Sequence, residues 1–187
     1  MRVLVVSDTH SNLEALEAVL ADAAVGNAAL TDGRGFDLIW SLGDIVGYGP
    51  NPNECIALIE QYEHLAIPGN HDWGVIGKID LEDFNPEARQ ANLWNRQQLT
   101  SASRKYLEKL AETRLQENCT LAHGSPRHPI WEYIIQLPAA KASFSFFETP
   151  VCLVGHTHLP VIFRLLPSGE CQAIVPPEQP VQLSRDE

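Results

Sequence analysis

Five of the seven histidines in this 187-residue chain, His10, His71, His123, His156 and His158, fall in short polar stretches that directly follow apolar, strand-like runs. Asp8 and Asp44 do the same. The densest case is AIPGNHDWG (66–74), where an apolar run breaks at Pro68-Gly69 and delivers an amide, an imidazole and a carboxylate in succession. Asn70, His71 and Asp72 are poor core residues and poor helix formers, so the stretch reads as a tight turn that displays them. Asp8-Thr9-His10 and His156-Thr157-His158 are pairs separated by one residue. In extended backbone alternate side chains point the same way, so each pair aims two donors at one place. Glycines beside Asp44, Asn70, His123 and His156 allow the sharp turns that a crowded site needs.

Taken singly, each residue has a blander explanation. A histidine after a strand is most often a hydrogen-bonded loop residue, Asp44 alone could form a turn, and Asp8 could cap the helix that follows. The same placement repeated along the chain argues for a shared purpose. Seven nitrogen and oxygen donors, Asp8, His10, Asp44, Asn70, His123, His156 and His158, exceed what one tetrahedral ion takes. They suit two five- or six-coordinate ions that share a carboxylate, with His71 left over. Imidazole and carboxylate without thiolate point to manganese, iron, zinc or a similar ion.

Such donors meet only if the elements bring them together. Residues 2–6 (RVLVV) predict a buried strand, and Leu13 to Val25 a helix with Leu13, Leu16 and Leu20 on one face. A loop is expected over Gly26–Gly35, a strand over FDLIWSL (36–42), and a helix from Asn51-Pro52 to about Tyr62. A short strand follows at His64–Ile67, then helices from Asn85-Pro86 to Gln98 and over Ser101–Thr113. Leu115–Ala122 reads as one strand, Pro138–Glu148 as a helix, Val151–Val154 as a strand, and 161–175 as a hairpin around Pro167-Ser168-Gly169. Alternating strands and helices predict an α/β layered fold with a largely parallel sheet, in which the loops at the carboxyl ends of the strands share one rim. The expectation is a single domain over 1–175 with a polar, proline-bearing tail at 176–187.

Composition narrows the classes. Hydrophobic content of 44% and charged content of 20% are ordinary globular values. The longest apolar runs fall far short of a bilayer span, and the N-terminus turns polar after six residues, unlike a signal peptide. Neither a membrane nor, at a net charge of −11, a general nucleic-acid surface is expected as partner. Four widely spaced cysteines with no CxxC pair argue against a disulfide framework and for a reducing cytoplasm.

In order and spacing, SDTH (7–10), GDIVG (43–47), GNHD (69–72), HG (123–124) and GHTH (155–158) resemble the calcineurin-like metallophosphoesterase superfamily. GYGPNPNE (47–54) and HGSPRHPIWEY (123–133) are similar to its bacterial and archaeal single-domain branch. The resemblance implies a four-layer α/β/β/α sandwich and two divalent metal ions, manganese first, with iron, zinc, nickel, cobalt or magnesium as alternatives. One metal would take Asp8, His10 and His158, the other Asn70, His123 and His156, and Asp44 would bridge both. His71 would be general acid or transition-state stabiliser, oriented by Asp72. The implied reaction is hydrolysis of a small phosphate ester, a phosphodiester in preference to a monoester, by a hydroxide bridging the metals. Arg127 and His128 are candidates for holding the substrate phosphate, because an arginine fork matches two oxygens. Tyr48, Trp73 and Trp131 lie near the same loops and are as well explained by packing.

Two departures matter. The protein-phosphatase branch carries Asp-Arg-Gly and a GNHE block where this chain has GYG and GNHD, which disfavours a phosphoprotein substrate. Relatives of the bacterial branch continue past the GHTH hairpin, whereas here VPPEQPVQLSRDE follows, so the second sheet is expected to be abbreviated or the sequence shortened. The rivals from other classes are a non-catalytic protein-interaction scaffold, disfavoured because every ligand and His71 are present, and a zinc-stabilised structural domain, disfavoured by the lack of cysteine clusters.

Overall fold

The computed structural model describes residues 1–25, 35–176 and 181. The loop expected over Gly26–Gly35 and the tail after 176 lie almost entirely outside them. The chain divides into two compact units, Met1–Ala111 and Glu112–Glu187. Among the described residues no helix is long and apolar enough to cross a membrane.

The first unit is built on a parallel sheet of β1 (Val3–Val6), β2 (Leu38–Ser41) and β3 (His64–Ala66) in that order, with Val3 opposite Leu38 and Ile39 opposite His64. Parallel neighbours need crossovers, and α1 (Leu13–Val25) and α2 (Pro52–Ile59) supply them. β2, the central strand, is buried at all four residues, which is why LIWS shows no polar alternation. Leu16 and Leu20 of α1, Ile56 and Ile59 of α2, and Ile39 of β2 form the core with Ile45 and Val46 from the loop after β2. Each such side chain contributes roughly 1.5–3 kcal/mol by leaving water. Among the described residues the unit has three further helices: α3 (Asn70–Ile76), α4 (Pro86–Gln98) and α5 (Ser101–Glu108).

Several boundaries differ from the sequence pattern for identifiable reasons. The GNHD stretch is not a tight turn but the first turn of α3. Gly69 is its N-cap residue, and the Asp72 carboxylate at the third helical position accepts the Gly69 N–H at 2.9 Å, one half of a capping box. Gly77, with φ of 81°, ends the helix in the left-handed conformation. The helix expected to reach Tyr62 ends at Ile59, and the one expected to reach Thr113 ends at Glu108. Asn85 and Thr100 cap α4 and α5 by accepting the backbone N–H groups of Ala88 and Ser103.

In the second unit, the single strand expected over Leu115–Ala122 is a hairpin of β4 (Thr113–Gln116) and β5 (Cys119–Ala122). Glu117 turns it with φ of 54°, a conformation that an Asn-Gly or Asp-Gly signal would have announced and Glu-Asn does not. β6 (Val151–Leu153) pairs parallel with β5, and the crossover contains α6 (Leu137–Ser143) and a short 3-10 turn at Phe144–Phe146. The expected helix to Glu148 is therefore cut short. β7 (Ile162–Leu165) and β8 (Cys171–Ile174) form the anticipated hairpin, paired with each other and separate from the three-stranded sheet.

Candidate metal centre

Because β1, β2 and β3 run parallel, the polar stretches after all three leave the same edge of the first sheet. Asp8 and His10 follow β1, Asp44 follows β2, and Asn70 and His71 follow β3. Backbone bonds extend the pairing past the strands: Asp8 N–H donates to Gly43 O at 3.0 Å, and His10 N–H to Asp44 O at 2.8 Å. His10 Nε2 lies 3.8 Å from Asp44 Oδ2 and 3.9 Å from Asp8 Oδ1. These separations are too long for hydrogen bonds. They exceed only slightly the ~3–3.5 Å between donors on one ion at bond lengths near 2.1 Å. Donor atoms of His10, Asp44 and His71 all lie within 4.8 Å of one another, and all three residues are buried.

Asp44 is 1% exposed. Burying a carboxylate is costly unless its charge is compensated. The backbone N–H of His71 donates to Asp44 Oδ1 at 2.8 Å, which fixes one oxygen, and the other faces His10. A cation would compensate the charge. The backbone argues the same way. Among the described residues eight non-glycine residues have positive φ, and Asp8, His10, Asp44, His156 and His158 are five of them. Left-handed backbone costs about 1–3 kcal/mol per residue and persists where its surroundings impose it, most often at functional sites. The donor chemistry, the burial and the strain fit divalent metal.

His71 is 4% exposed, and its ring is boxed by aromatic edges and faces: Tyr48 at 4.6 Å between centroids, Phe84 at 5.1 Å and His10 at 4.7 Å. Its Nδ1 faces Asn92 Nδ2 at 2.9 Å. Asp72, fully buried, accepts the Val46 and Gly69 backbone N–H groups at 3.0 and 2.9 Å, tying the start of α3 to the loop after β2. Trp73 is buried, consistent with packing, and Lys78 Nζ sits 3.6 Å from its ring centroid. Tyr48 is half-exposed, with φ of 51°.

The second unit repeats the arrangement. β5 and β6 are parallel, so His123 after β5 and His156 and His158 after β6 leave one edge, and Gly155 N–H donates to His123 O at 2.8 Å. His123 Nε2 and His156 Nδ1 are 3.2 Å apart and both residues are buried, whereas His158 is exposed. Tyr133 stacks on His156 with centroids 3.9 Å apart, and Trp131 meets the same ring edge-on at 6.5 Å.

Arg127 lies elsewhere in its energetics. Its fork grips Glu132, Nε to Oε2 at 2.7 Å and Nη2 to Oε1, while Ser125 Oγ also donates to Glu132. Those hydrogen bonds, Arg127's foremost, hold the Glu132 carboxyl below its ordinary range, and the pairing raises the guanidinium further above its own. Arg127 thus closes the 125–132 loop, and His128 N–H donates to Ser125 Oγ within it. Sequence reasoning missed Glu132, Asn92 and Asn95. Asn95 Oδ1 accepts from Ser11 Oγ at 2.8 Å and Gly47 N–H at 3.3 Å, and its Nδ2 donates to Gly49 O at 3.2 Å, so α4 holds the GYG loop. The available signal was a pair of asparagines three residues apart on the Ala88 face of a helix, a position where polar side chains need partners.

Comparison with known proteins agrees. An uncharacterized protein of Methanocaldococcus jannaschii is 40% identical over 166 residues, covering 86% of this chain and 63% of its own length. The crystal structure of a metallophosphoesterase from Sphaerobacter thermophilus matches with 48% identity and a TM-score of 0.71 over 86% of this chain and 62% of that one. A Pyrococcus horikoshii protein of known structure, 20% identical, shares the fold with a TM-score of 0.75 over 90% of this chain and 73% of its own. The chain therefore spans less than two thirds of the first two relatives. The family model for calcineurin-like phosphoesterases matches residues 1–160, the same span that carries the five polar blocks. Carrying the calcineurin-like metallophosphoesterase fold and its ordered motifs, the chain belongs to this family.

Proposed function

We propose that this protein is a phosphoesterase dependent on two divalent metals, with phosphodiesters as its preferred substrates and the cytoplasm as its compartment. The observation that carries the reading is the buried group of His10, Asp44 and His71, with donor atoms within 4.8 Å, at the carboxyl edge of a parallel sheet. Asp8, His10 and His158 would hold one cation and Asn70, His123 and His156 the other, with Asp44 shared, as the family pattern implies. Bound there, two cations (manganese is the first choice) supply Lewis acidity to the phosphoryl oxygens and acidify the attacking water.

The chain's own residues do the rest. His71 supplies an N–H to the leaving oxygen, a contribution of typically ~10²–10⁴ in rate. Asp72 keeps that imidazole in register by fixing the first turn of α3 to Gly69 and Val46. Arg127, pinned by Glu132, shapes the loop from which it and His128 would meet substrate phosphate. Assays on purified protein with Mn²⁺ added back, comparing p-nitrophenyl phosphate with its bis-ester, test the reading. Faster hydrolysis of the bis-ester, abolished in Asp44→Asn, is expected. Preference for the monoester would reassign the substrate class, and inertness toward both with only trace metal would favour a scaffold of this fold.

A further inference from the structure

We propose that Asn92 is a positioning residue that fixes the tautomer of His71, holding the ring proton on Nε2. Asn92 lies on α4, is fully buried, and directs a single atom, Nδ2, at two partners: Ala88 O at 2.8 Å and His71 Nδ1 at 2.9 Å. The Ala88 carbonyl only accepts, so the amide edge that faces it must be the NH2 group. The second proton of that NH2 then points at His71 Nδ1, which must offer its lone pair. In a neutral imidazole the proton is left on Nε2.

Turning the amide over would press Oδ1 against the Ala88 carbonyl. The orientation present leaves Asn92 Oδ1 buried with no hydrogen-bond partner among the described residues. An orphaned acceptor destabilises a fold, and a leucine would fill the same space without one. Asn92 is therefore better explained by the imidazole it serves than by packing. The surroundings leave the ring little freedom to choose otherwise. Tyr48 and Phe84 wall it, and Gly47, with φ of 98°, passes so near that any Cβ there would collide with Nδ1. Set this way, His71 presents an N–H from the nitrogen remote from Asn92.

The catalytic consequence rests on the phosphoesterase reading, whereas the tautomer itself does not. Long-range ¹H–¹⁵N spectra of the full chain, labelled at histidine and loaded with Zn²⁺, above the ordinary histidine titration range, identify the protonated nitrogen directly. The expected result is an Nε2–H signature for His71 in the unsubstituted protein, with the proton moved to Nδ1 in Asn92→Asp, whose carboxylate accepts. An Nδ1–H signature in the unsubstituted protein would overturn the proposal, and so would an Nε2–H signature unchanged in both Asn92→Asp and Asn92→Leu. Kinetically, Asn92→Leu should lower kcat on the order of 10–100-fold on a phenyl ester, with KM within about twofold, and less on a p-nitrophenyl ester, whose leaving group needs little help from a proton donor. Equal losses on both esters would mark a merely structural role. A protein inert toward every ester but showing the Nε2–H signature would retire the enzymatic reading and leave the tautomer assignment standing.

Discussion

The backbone N–H of His71 donates to Asp44 Oδ1 at 2.8 Å, so the residue proposed to handle the proton is anchored to the carboxylate proposed to be shared by the metals. The start of α3 and the loop after β2 are thereby one rigid construction. Asp72 reinforces it from the other side through Val46 and Gly69.

Gly69 is where that construction is least tolerant. Its φ of −104° is open to any residue, but an added Cβ would land on the Asp44 carboxylate and backbone nitrogen. Gly69→Ala should destabilise the fold by about 1–3 kcal/mol through overpacking. It should also lower metal content by displacing Asp44. Thermal unfolding and elemental analysis of the variant check both.

His71 and Asp44 should separate cleanly on substitution. His71→Ala is expected to reduce kcat by ~10²–10⁴-fold while retaining metal. Asp44→Asn should lose metal and activity together. Metal loss in His71→Ala would make His71 a ligand, which its proximity to His10 and Asp44 makes a pointed comparison.

The Glu132 carboxyl, held below its ordinary range chiefly by the Arg127 hydrogen bond, links the 125–132 loop to pH. A depressed folded-state value means that the stabilisation is present above the unfolded-state value and is lost as pH falls through the folded one. Protection of the loop amides from hydrogen exchange, corrected for intrinsic rates, should therefore fall below the ordinary carboxylate range. Glu132→Gln should show the low protection already at neutral pH, with no further acid step.

Asn85 caps the helix that carries Asn92 and Asn95 by accepting the Ala88 N–H at 2.8 Å. Asn85→Ala should cost about 1 kcal/mol. In a domain of this size that corresponds to a fall in Tm of about 2–4 °C.

Much of this was legible in the sequence, for physical reasons. Asp8, His10, Asp44, His123 and His156 stand out because apolar runs that must be buried end abruptly in polar groups, and parallel pairing then sends the first three to the carboxyl edge of the first sheet and the two histidines to that of the second. Caps at Asn85 and Thr100 announce their helices because a side-chain oxygen satisfies an amide that the helix leaves open. What was hidden depends on contacts between distant residues. Asn70 begins a helix despite its poor propensity, since Asp72 bonds back to Gly69. Glu117 takes a left-handed turn without a glycine to signal it. Asn92 and Asn95 look like ordinary polar residues of a helix until His71 and the Gly47–Gly49 loop are found against them. That Arg127 also closes its own loop is invisible until its partner Glu132, five residues on, is found in its fork.

The central claim is that the donors collected after five strands hold a pair of cations. Elemental analysis of the purified chain, loaded with Mn²⁺ and freed of excess, counts them directly. The account predicts two ions per chain, both lost in Asp44→Asn. A single ion or none in the unsubstituted protein would contradict it.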